Sequence, residues 1–230
     1  IWGYTTVGIA QTQEEMDAHL ANNKPNWGSK WGAGDVMYAD LNGDGEVTSG
    51  SSTLGDHGDL TVIGNSYARY NFGLTLDGSW KGLDFSVFLQ GVMKRDYWLD
   101  GPYFWGASGD EWQSACFTEH LDYWTPDNPD AYYPKPYFGG ITKNQQVQTG
   151  YLQNAAYLRV KNVQIGYTLP KSWTQKASME SVRFYISGDN LLTLTGISAI
   201  FDPETLGGDW GPGKLYPLQR TISVGVNVNF

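Results

Sequence analysis

The sequence predicts an all-β protein, an antiparallel up-and-down sheet that forms a segment of a transmembrane β-barrel with long extracellular loops. The first observation is the terminal stretch Thr221–Phe230, where apolar residues alternate with polar or small ones up to a final aromatic residue. This alternation gives a strand one apolar and one polar face, and outer-membrane barrels close with such strands. The second is composition, with 15% aromatic residues and 29 Gly, but no apolar run near the roughly 18–20 residues of a membrane-spanning helix.

The first two predicted strands, Tyr70–Ser79 and Leu83–Val92, form a hairpin. Both alternate apolar and polar residues, and Phe88 is the one apolar residue on the polar parity of the second strand. The residues between them, Trp80-Lys81-Gly82, have the length and composition of a tight hairpin connection, in which Gly can adopt a positive φ.

Three further strands follow. The segment Ala155–Leu169 has the same period, but its parity changes at Lys161-Asn162. Such a change predicts a β-bulge, which inserts one residue and restores the two faces. The segments Val182–Asp189 and Thr221–Phe230 are the fourth and fifth predicted strands, whereas the first 69 residues show no convincing strand pattern.

Short and long connections alternate between these strands, so all the long ones lie on one side of the sheet. In transmembrane barrels the short turns face the periplasm and the long loops face outside. The predicted organisation is an extracellular loop region (residues 1–69), a barrel hairpin (70–94), a long extracellular loop (95–153) and C-terminal barrel strands (154–230) that end in Phe230 as an assembly signal.

Five strands are too few for a closed barrel. Bacterial transmembrane barrels have at least about eight strands, and an open sheet in lipid would leave two edges unpaired. Either the sheet does not lie in a membrane, or the chain is the C-terminal piece of a longer one. The chain begins with Ile and shows no signal peptide, which favours a fragment or a processed product.

Charge and residue types exclude several classes of function. The net charge of −9 argues against a nucleic-acid partner. Cys116 is the one cysteine, so the chain has no internal disulfide and no cysteine-based metal or redox motif. The three His have no metal-binding or catalytic spacing, and no nucleophile elbow or phosphate-binding glycine loop occurs. We therefore expect no enzyme activity and no organic cofactor.

An acidic loop in the first region matches the first half of a calcium-binding loop. In Asp40-Leu41-Asn42-Gly43-Asp44-Gly45 the oxygen-bearing side chains alternate and Gly stands at position six, where the loop bends sharply. Glu46 at position seven would contribute its backbone carbonyl, and Thr48 falls at position nine of the predicted ligand set. Position twelve is Ser51 instead of an acid, so Asp56, Asp59 or water would complete the set. The alternative is a rigid turn without metal.

The second loop is dense in aromatic and acidic residues, as a sugar-binding surface would be. Trp105 and Trp112 are the predicted substrate contacts. The alternative is that these rings pack the long loops against one another or against a partner protein.

Five aromatic residues fall near the ends of predicted strands, where outer-membrane barrels carry their aromatic girdles. They are Tyr70, Phe72, Trp80, Tyr167 and Phe230.

A series of motifs resembles the C-terminal part of SusC/RagA-type TonB-dependent outer-membrane transporters. Each motif alone is weak, but eight in the same order along nearly the whole chain are specific. They are Gly34–Gly45, Val62–Ser66, Phe85–Gly91, Tyr157–Asn162, Ile165–Pro170, Ser187–Leu191, Phe201–Glu204 and the terminal strand.

The resemblance implies that these strands are the last five of a barrel of roughly 22 strands in the bacterial outer membrane. It implies energised import of glycans (oligosaccharides) or peptides, with a SusD-like surface lipoprotein as a lid. The plug and the contact with the TonB complex would lie outside this chain. The alternative from another class is a secreted β-sandwich that binds carbohydrate and holds a structural calcium.

Overall fold

The computed structural model describes residues 1–106, 116–137, 141–207 and 211–230. These residues form two compact units. We call the first the loop unit (residues 1–66, 96–153 and 206–215) and the second the sheet unit (67–95, 154–205 and 216–230).

Strands dominate the described part of the chain. They are β1 (Trp2–Gly3), β2 (Thr6–Ile9), β3 (Lys24–Pro25), β4 (Val36–Tyr38), β5 (Glu46–Val47), β6 (Thr61–Val62), β7 (Arg69–Trp80), β8 (Leu83–Lys94), β9 (Asp96–Tyr97), β10 (Gln153–Thr168), β11 (Ser181–Gly196) and β12 (Thr221–Asn229). The α-helices are α1 (Gln13–Leu20), α2 (Pro102–Trp105) and α3 (Lys171–Thr174), and single 3₁₀ turns cover Thr118–Leu121, Ile141–Lys143, Thr149–Tyr151 and Gln175–Ala177. None of the described helices has the length and apolar character needed to cross a membrane.

The sheet unit confirms the predicted antiparallel up-and-down sheet. Its five long strands are hydrogen-bonded in the order β12-β11-β10-β8-β7, and every neighbouring pair is antiparallel. Each long strand therefore pairs with the long strand before it in the chain, as in a meander. Among the described residues, β7 and β12 each have a partner on one side only.

The register separates two faces of this sheet. Directly paired residues share a face of the sheet. The pairs Phe184↔Val226 and Ile165↔Ile186 therefore show that the apolar residues of neighbouring strands lie on the same face. These apolar side chains are exposed, and Val224 is 81% exposed. The opposite face carries polar pairs such as Arg183↔Asn227. A soluble sheet buries its apolar face on a core, whereas a barrel wall turns it toward lipid.

The β-bulge predicted at Lys161-Asn162 is confirmed. The register of β10 with both β8 and β11 shifts between Val160 and Asn162. The fourth strand is longer than the prediction, however, because β11 continues past Asp189 to Gly196. Asn190 adopts a positive φ of 52°, and pairing resumes at Leu192↔Val160. This irregularity interrupts the alternation of apolar and polar residues, so the strand predicted from the sequence pattern is too short.

The loop unit contains short elements that the sequence pattern does not reveal. Its strands are two to four residues long, and six of them pair as β1-β6, β2-β4 and β3-β5. The helix α1 begins after Thr12, whose hydroxyl accepts the amide of Glu15 at 3.1 Å. This is the N-cap contact of the T-x-x-E pattern, the one sequence feature that indicates the helix. Met16 packs from α1 against Ala10 and Met37.

Candidate functional site

The acidic loop closes around the carboxylate of Asp40. Its Oδ1 accepts the backbone amides of Asn42 at 3.1 Å and Gly43 at 2.6 Å, and its Oδ2 accepts that of Gly45 at 2.7 Å. Gly43 and Gly45 have φ of 80° and 88°, a region that glycine adopts at little cost. The amides lower the pKa of Asp40, most of all the amide of Gly45. Asp40 therefore stays ionised at neutral pH.

The structure distinguishes between the two acids proposed to complete the calcium ligands. Asp59 lies against the loop, since its Oδ1 accepts the amide of Leu41 at 2.7 Å and its Oδ2 accepts that of Thr48 at 2.7 Å. Asp56 instead accepts the amide of Ser51 at 3.0 Å within its own turn. Asp59 is therefore the acid that the fold brings to Asp40.

The charged side chains of residues 40–48 are all acidic. Asp59 is fully buried, and no ion pair joins Asp40 or Asp59 to a basic side chain within the part of the chain that the structure describes. No group of three described His, Cys, Asp or Glu side chains is placed to hold a metal ion. A calcium site here would thus depend on Asn42 and carbonyl oxygens as well as carboxylates. Calcium at Asp40, Asn42, Asp44, Glu46 and Thr48 stays a prediction.

Trp105 belongs to a packed aromatic cluster in the loop unit. Its ring centroid lies 4.8 Å from that of Tyr151 and 5.1 Å from that of Phe104, in edge-to-face arrangements. The side chain is only 5% exposed. Burial raises the pKa of Tyr133 and Tyr151, so both phenols stay neutral. This geometry favours the packing interpretation of the aromatic loop.

A small cavity of about 220 Å³ lies beside this cluster, lined by Trp105, His120 and Tyr133 among others. His120 is held by the amide of Phe117, which donates to Nδ1 at 3.0 Å, while Nε2 lies 3.1 Å from the carbonyl oxygen of Phe104. Trp112 lies outside the described residues. Substrate contact by Trp105 and Trp112 remains a prediction.

A buried ion pair in the loop unit escapes sequence analysis. The Nζ of Lys143 lies 2.7 Å from Oδ2 of Asp35, and neither side chain is more than 4% exposed. Asp35 also accepts the side-chain amide of Asn144 at 2.9 Å, and the Lys143 ammonium lies 3.9 Å from the ring centroid of Tyr137. The charged partners are 108 residues apart in the chain, so no local pattern indicates them.

A second charged group lies in the sheet unit and joins two of the motifs in the series. Arg159 of β10 lies 2.8 Å from Asp202 and 2.7 Å from Glu204, and Lys161 lies 3.0 Å from Glu204. We call these four side chains the charge network. The nearby cavity of about 610 Å³ is lined by Arg159, Thr193, Asp202 and a set of mainly apolar residues.

The predicted girdle residues lie at or near strand ends. Trp80 precedes the hairpin turn and Tyr70 lies at the other end of β7, and both are exposed. Tyr167 and Phe230 are exposed as well, whereas Phe72 is partly exposed. Their role at a membrane interface stays a prediction.

Comparison with known proteins supports the series of motifs. No family model matches the chain. TonB-dependent receptor P3 of Formosa agariphila is 28% identical over 210 residues, which cover 86% of this chain and 19% of the receptor. TonB-dependent receptor P26 of the same organism is 28% identical over 242 residues, covering 99% of this chain and 22% of the receptor. The chain thus spans about a fifth of the length of these curated relatives.

Solved structures share the fold. A chain in the structure of the RagAB peptide transporter matches with a TM-score of 0.68 and 23% identity, over all of this chain and 23% of that one. A structure of the RagAB peptide importer in the open-open state matches with a TM-score of 0.66 and 24% identity, over all of this chain and 22% of that one. The resemblance to SusC/RagA-type TonB-dependent transporters, the strand-built fold and the outer-membrane localisation are confirmed.

Proposed function

We propose that this chain is the C-terminal part of a TonB-dependent outer-membrane transporter that imports oligosaccharides or peptides. The observation that carries the proposal is the similarity of 99% of the chain to a TonB-dependent receptor. The role is transport and not catalysis. RagAB is a peptide transporter, which supports peptides as one of the two substrate classes.

The sheet unit would contribute barrel wall. Its exposed apolar face suits contact with outer-membrane lipid, and its polar face suits a water-filled lumen. The alternative, a secreted β-sandwich, needs a second sheet packed on the apolar face. Instead Ile222, Val224 and Phe184 on that face are exposed, which argues against the sandwich.

The loop unit would lie at the extracellular mouth. We propose that its loops meet a SusD-like lipoprotein lid and that the TonB complex acts through a part of the protein outside this chain. We expect no nucleic-acid partner, because the net charge of the chain is −9.

We also propose that the acidic loop holds a structural calcium ion. Two observations support this: the oxygens of Asp40, Asn42 and Asp44 lie on one tight turn, and Asp59 is buried next to Asp40 without a basic partner among the described residues. A hard cation would offset the repulsion between these carboxylates.

The test is the behaviour of the native polypeptide that carries this sequence. Extracted from cell envelopes, it should be several times heavier than 25.5 kDa and should migrate faster in detergent gels before boiling. Deletion of its gene should then abolish growth on an oligosaccharide or peptide source. A soluble native chain of 25.5 kDa would overturn the proposal.

A further inference from the structure

The cavity of about 610 Å³ in the sheet unit lies along a stretch of β11 that β12 does not cover. β12 pairs with β11 from Ser181 to Asp189, whereas β11 continues to Gly196. Thr193 and Thr195 pair with β10 on one side. On the other side no described strand pairs with them, and both line the cavity. This stretch is therefore an open strand edge beside a cavity.

The other residues that line the cavity are mainly apolar. Leu194 belongs to β11, most of the others belong to the segment that follows β11, and one lies shortly before β12. The apolar lining residues are Leu194, Ile197, Ala199, Ile200, Phe201, Pro203 and Pro217.

The charge network holds the segment that follows β11 in place. Arg159, which is 3% exposed, pairs with Asp202 and Glu204 of the segment, and its Nε donates to the hydroxyl of Thr193 at 2.7 Å. The Oδ1 of Asp202 in turn accepts the amide of Glu204 at 2.9 Å. Breaking a buried pair leaves the other charge uncompensated and is strongly destabilising. The segment is thus fastened to the polar face of the sheet at Arg159 and Lys161.

The polar side chains that line the cavity are already engaged within the protein. The Thr195 hydroxyl donates to the carbonyl of Ala156 at 2.9 Å, and Arg159 and Asp202 bind each other. A sugar with many hydroxyls would find few free partners here. Among the described lining residues Phe201 is the one aromatic residue, and it is only 6% exposed, so these residues offer a sugar no open ring on which to stack.

These features match an extended peptide better than a glycan. A peptide in extended conformation can add to an open strand edge through main-chain hydrogen bonds, and its alternate side chains enter adjacent pockets. We propose that this cavity is a substrate subsite for an aliphatic peptide side chain, an inference that rests on the proposed transport function. Arg159 is the positioning residue, because it holds the cavity wall without itself being free to bind.

The test uses the full-length transporter in detergent and two heptapeptides of equal length and charge. One carries Leu at alternate positions, and the other carries Ser at the same positions. We expect the wild-type protein to bind the Leu peptide at least tenfold more tightly. Ile200→Trp, which fills the cavity, should remove this preference. Leu54→Trp, at an 86% exposed site in the loop unit, is the matched control and should keep it.

Arg159 is tested by uptake. Arg159→Gln should raise the peptide concentration that gives half-maximal uptake and leave the maximal rate nearly unchanged, and Arg159→Lys should restore part of the affinity. Heat-modifiability of each variant verifies that the barrel has assembled.

An assembled Ile200→Trp protein that still prefers the Leu peptide would overturn the proposed subsite. Uptake of oligosaccharides with no peptide binding would also overturn it while leaving the transport function standing, and loss of both in the wild type would contradict the transport function itself.

Discussion

The sheet unit and the loop unit differ in which side chains they bury and which they expose. In the sheet unit most side chains on the apolar face of the strands are exposed or half-buried, while Arg159 and its acidic partners on the polar side are nearly buried. In the loop unit a cluster of aromatic rings that includes Phe104, Trp105 and Tyr151 is buried, and so is the Lys143–Asp35 ion pair.

This difference in burial indicates that the loop unit faces water and that the apolar face of the sheet unit faces lipid. The loop unit has a core of the ordinary soluble kind, in which apolar groups leave water. The sheet unit has its apolar residues where a soluble protein has its polar ones, as a barrel wall in lipid does. A substitution in one unit should therefore follow different rules from the same type of substitution in the other.

The largest effect is expected in the loop unit, at Asp35. Asp35→Ala leaves the Lys143 ammonium buried without its partner, which should cost about 3–5 kcal/mol. Hydrogen exchange of the loop-unit amides in the full-length transporter measures this local stability. Asp127→Ala at an exposed site is the control and should change it by less than about 0.5 kcal/mol. A small effect of Asp35→Ala would contradict the buried pair.

The next effect concerns the two faces of β12. Val224→Lys places a charge on the apolar parity and should cost about 2–4 kcal/mol if that residue faces the middle of a bilayer. Ser223→Lys, one residue away on the polar face, is the matched control and should cost little. Unfolding of the transporter from lipid vesicles in denaturant measures both. Equal effects of the two substitutions would show that the apolar face is not in lipid.

Calcium tests whether the loop unit needs an ion as well as a core. At a calcium concentration about 100-fold above the dissociation constant, binding should stabilise the folded loop by about 2.7 kcal/mol relative to chelator. Asp59→Asn should remove most of the stabilisation by calcium. Asp56→Asn, the same chemical change at an acid of the neighbouring turn, is the control and should leave that stabilisation unchanged. Hydrogen exchange at residues 40–48 measures the effect. Equal hydrogen exchange of the wild-type loop in calcium and in chelator would contradict the calcium proposal.

The smallest effect is a pH dependence confined to the loop unit. Burial lowers the pKa of His19, whose Nε2 lies 2.8 Å from the carbonyl oxygen of Tyr38. Because the pKa is lower in the folded state, the stabilisation is complete above the ordinary value of about 6.5 and is lost as the pH falls through the folded value. His19→Gln should flatten this part of the stability profile. An unchanged profile would mean that His19 does not titrate in this range.

The alternating strands were predictable because period-two patterning is local. All five long strands, the hairpin turn after Trp80 and the bulge at Lys161-Asn162 follow from neighbouring residues. The extension of β11 was not predictable, since the bend at Asn190 breaks the pattern while pairing with β10 continues. The short strands of the loop unit lack the length for any period to show.

Local patterns in the sequence are enough to predict the sheet, its two faces and the acidic turn, because each depends on side chains a few positions apart. The approach of Asp59 to Asp40, the packing of Trp105 and the contacts of Arg159 with Asp202 and Glu204 emerge only from the folded chain. All three depend on residues that are distant in the sequence. Asp59 and Leu41 are 18 positions apart and Arg159 and Asp202 are 43 apart, and burial makes such contacts stable only after the fold has brought the residues together.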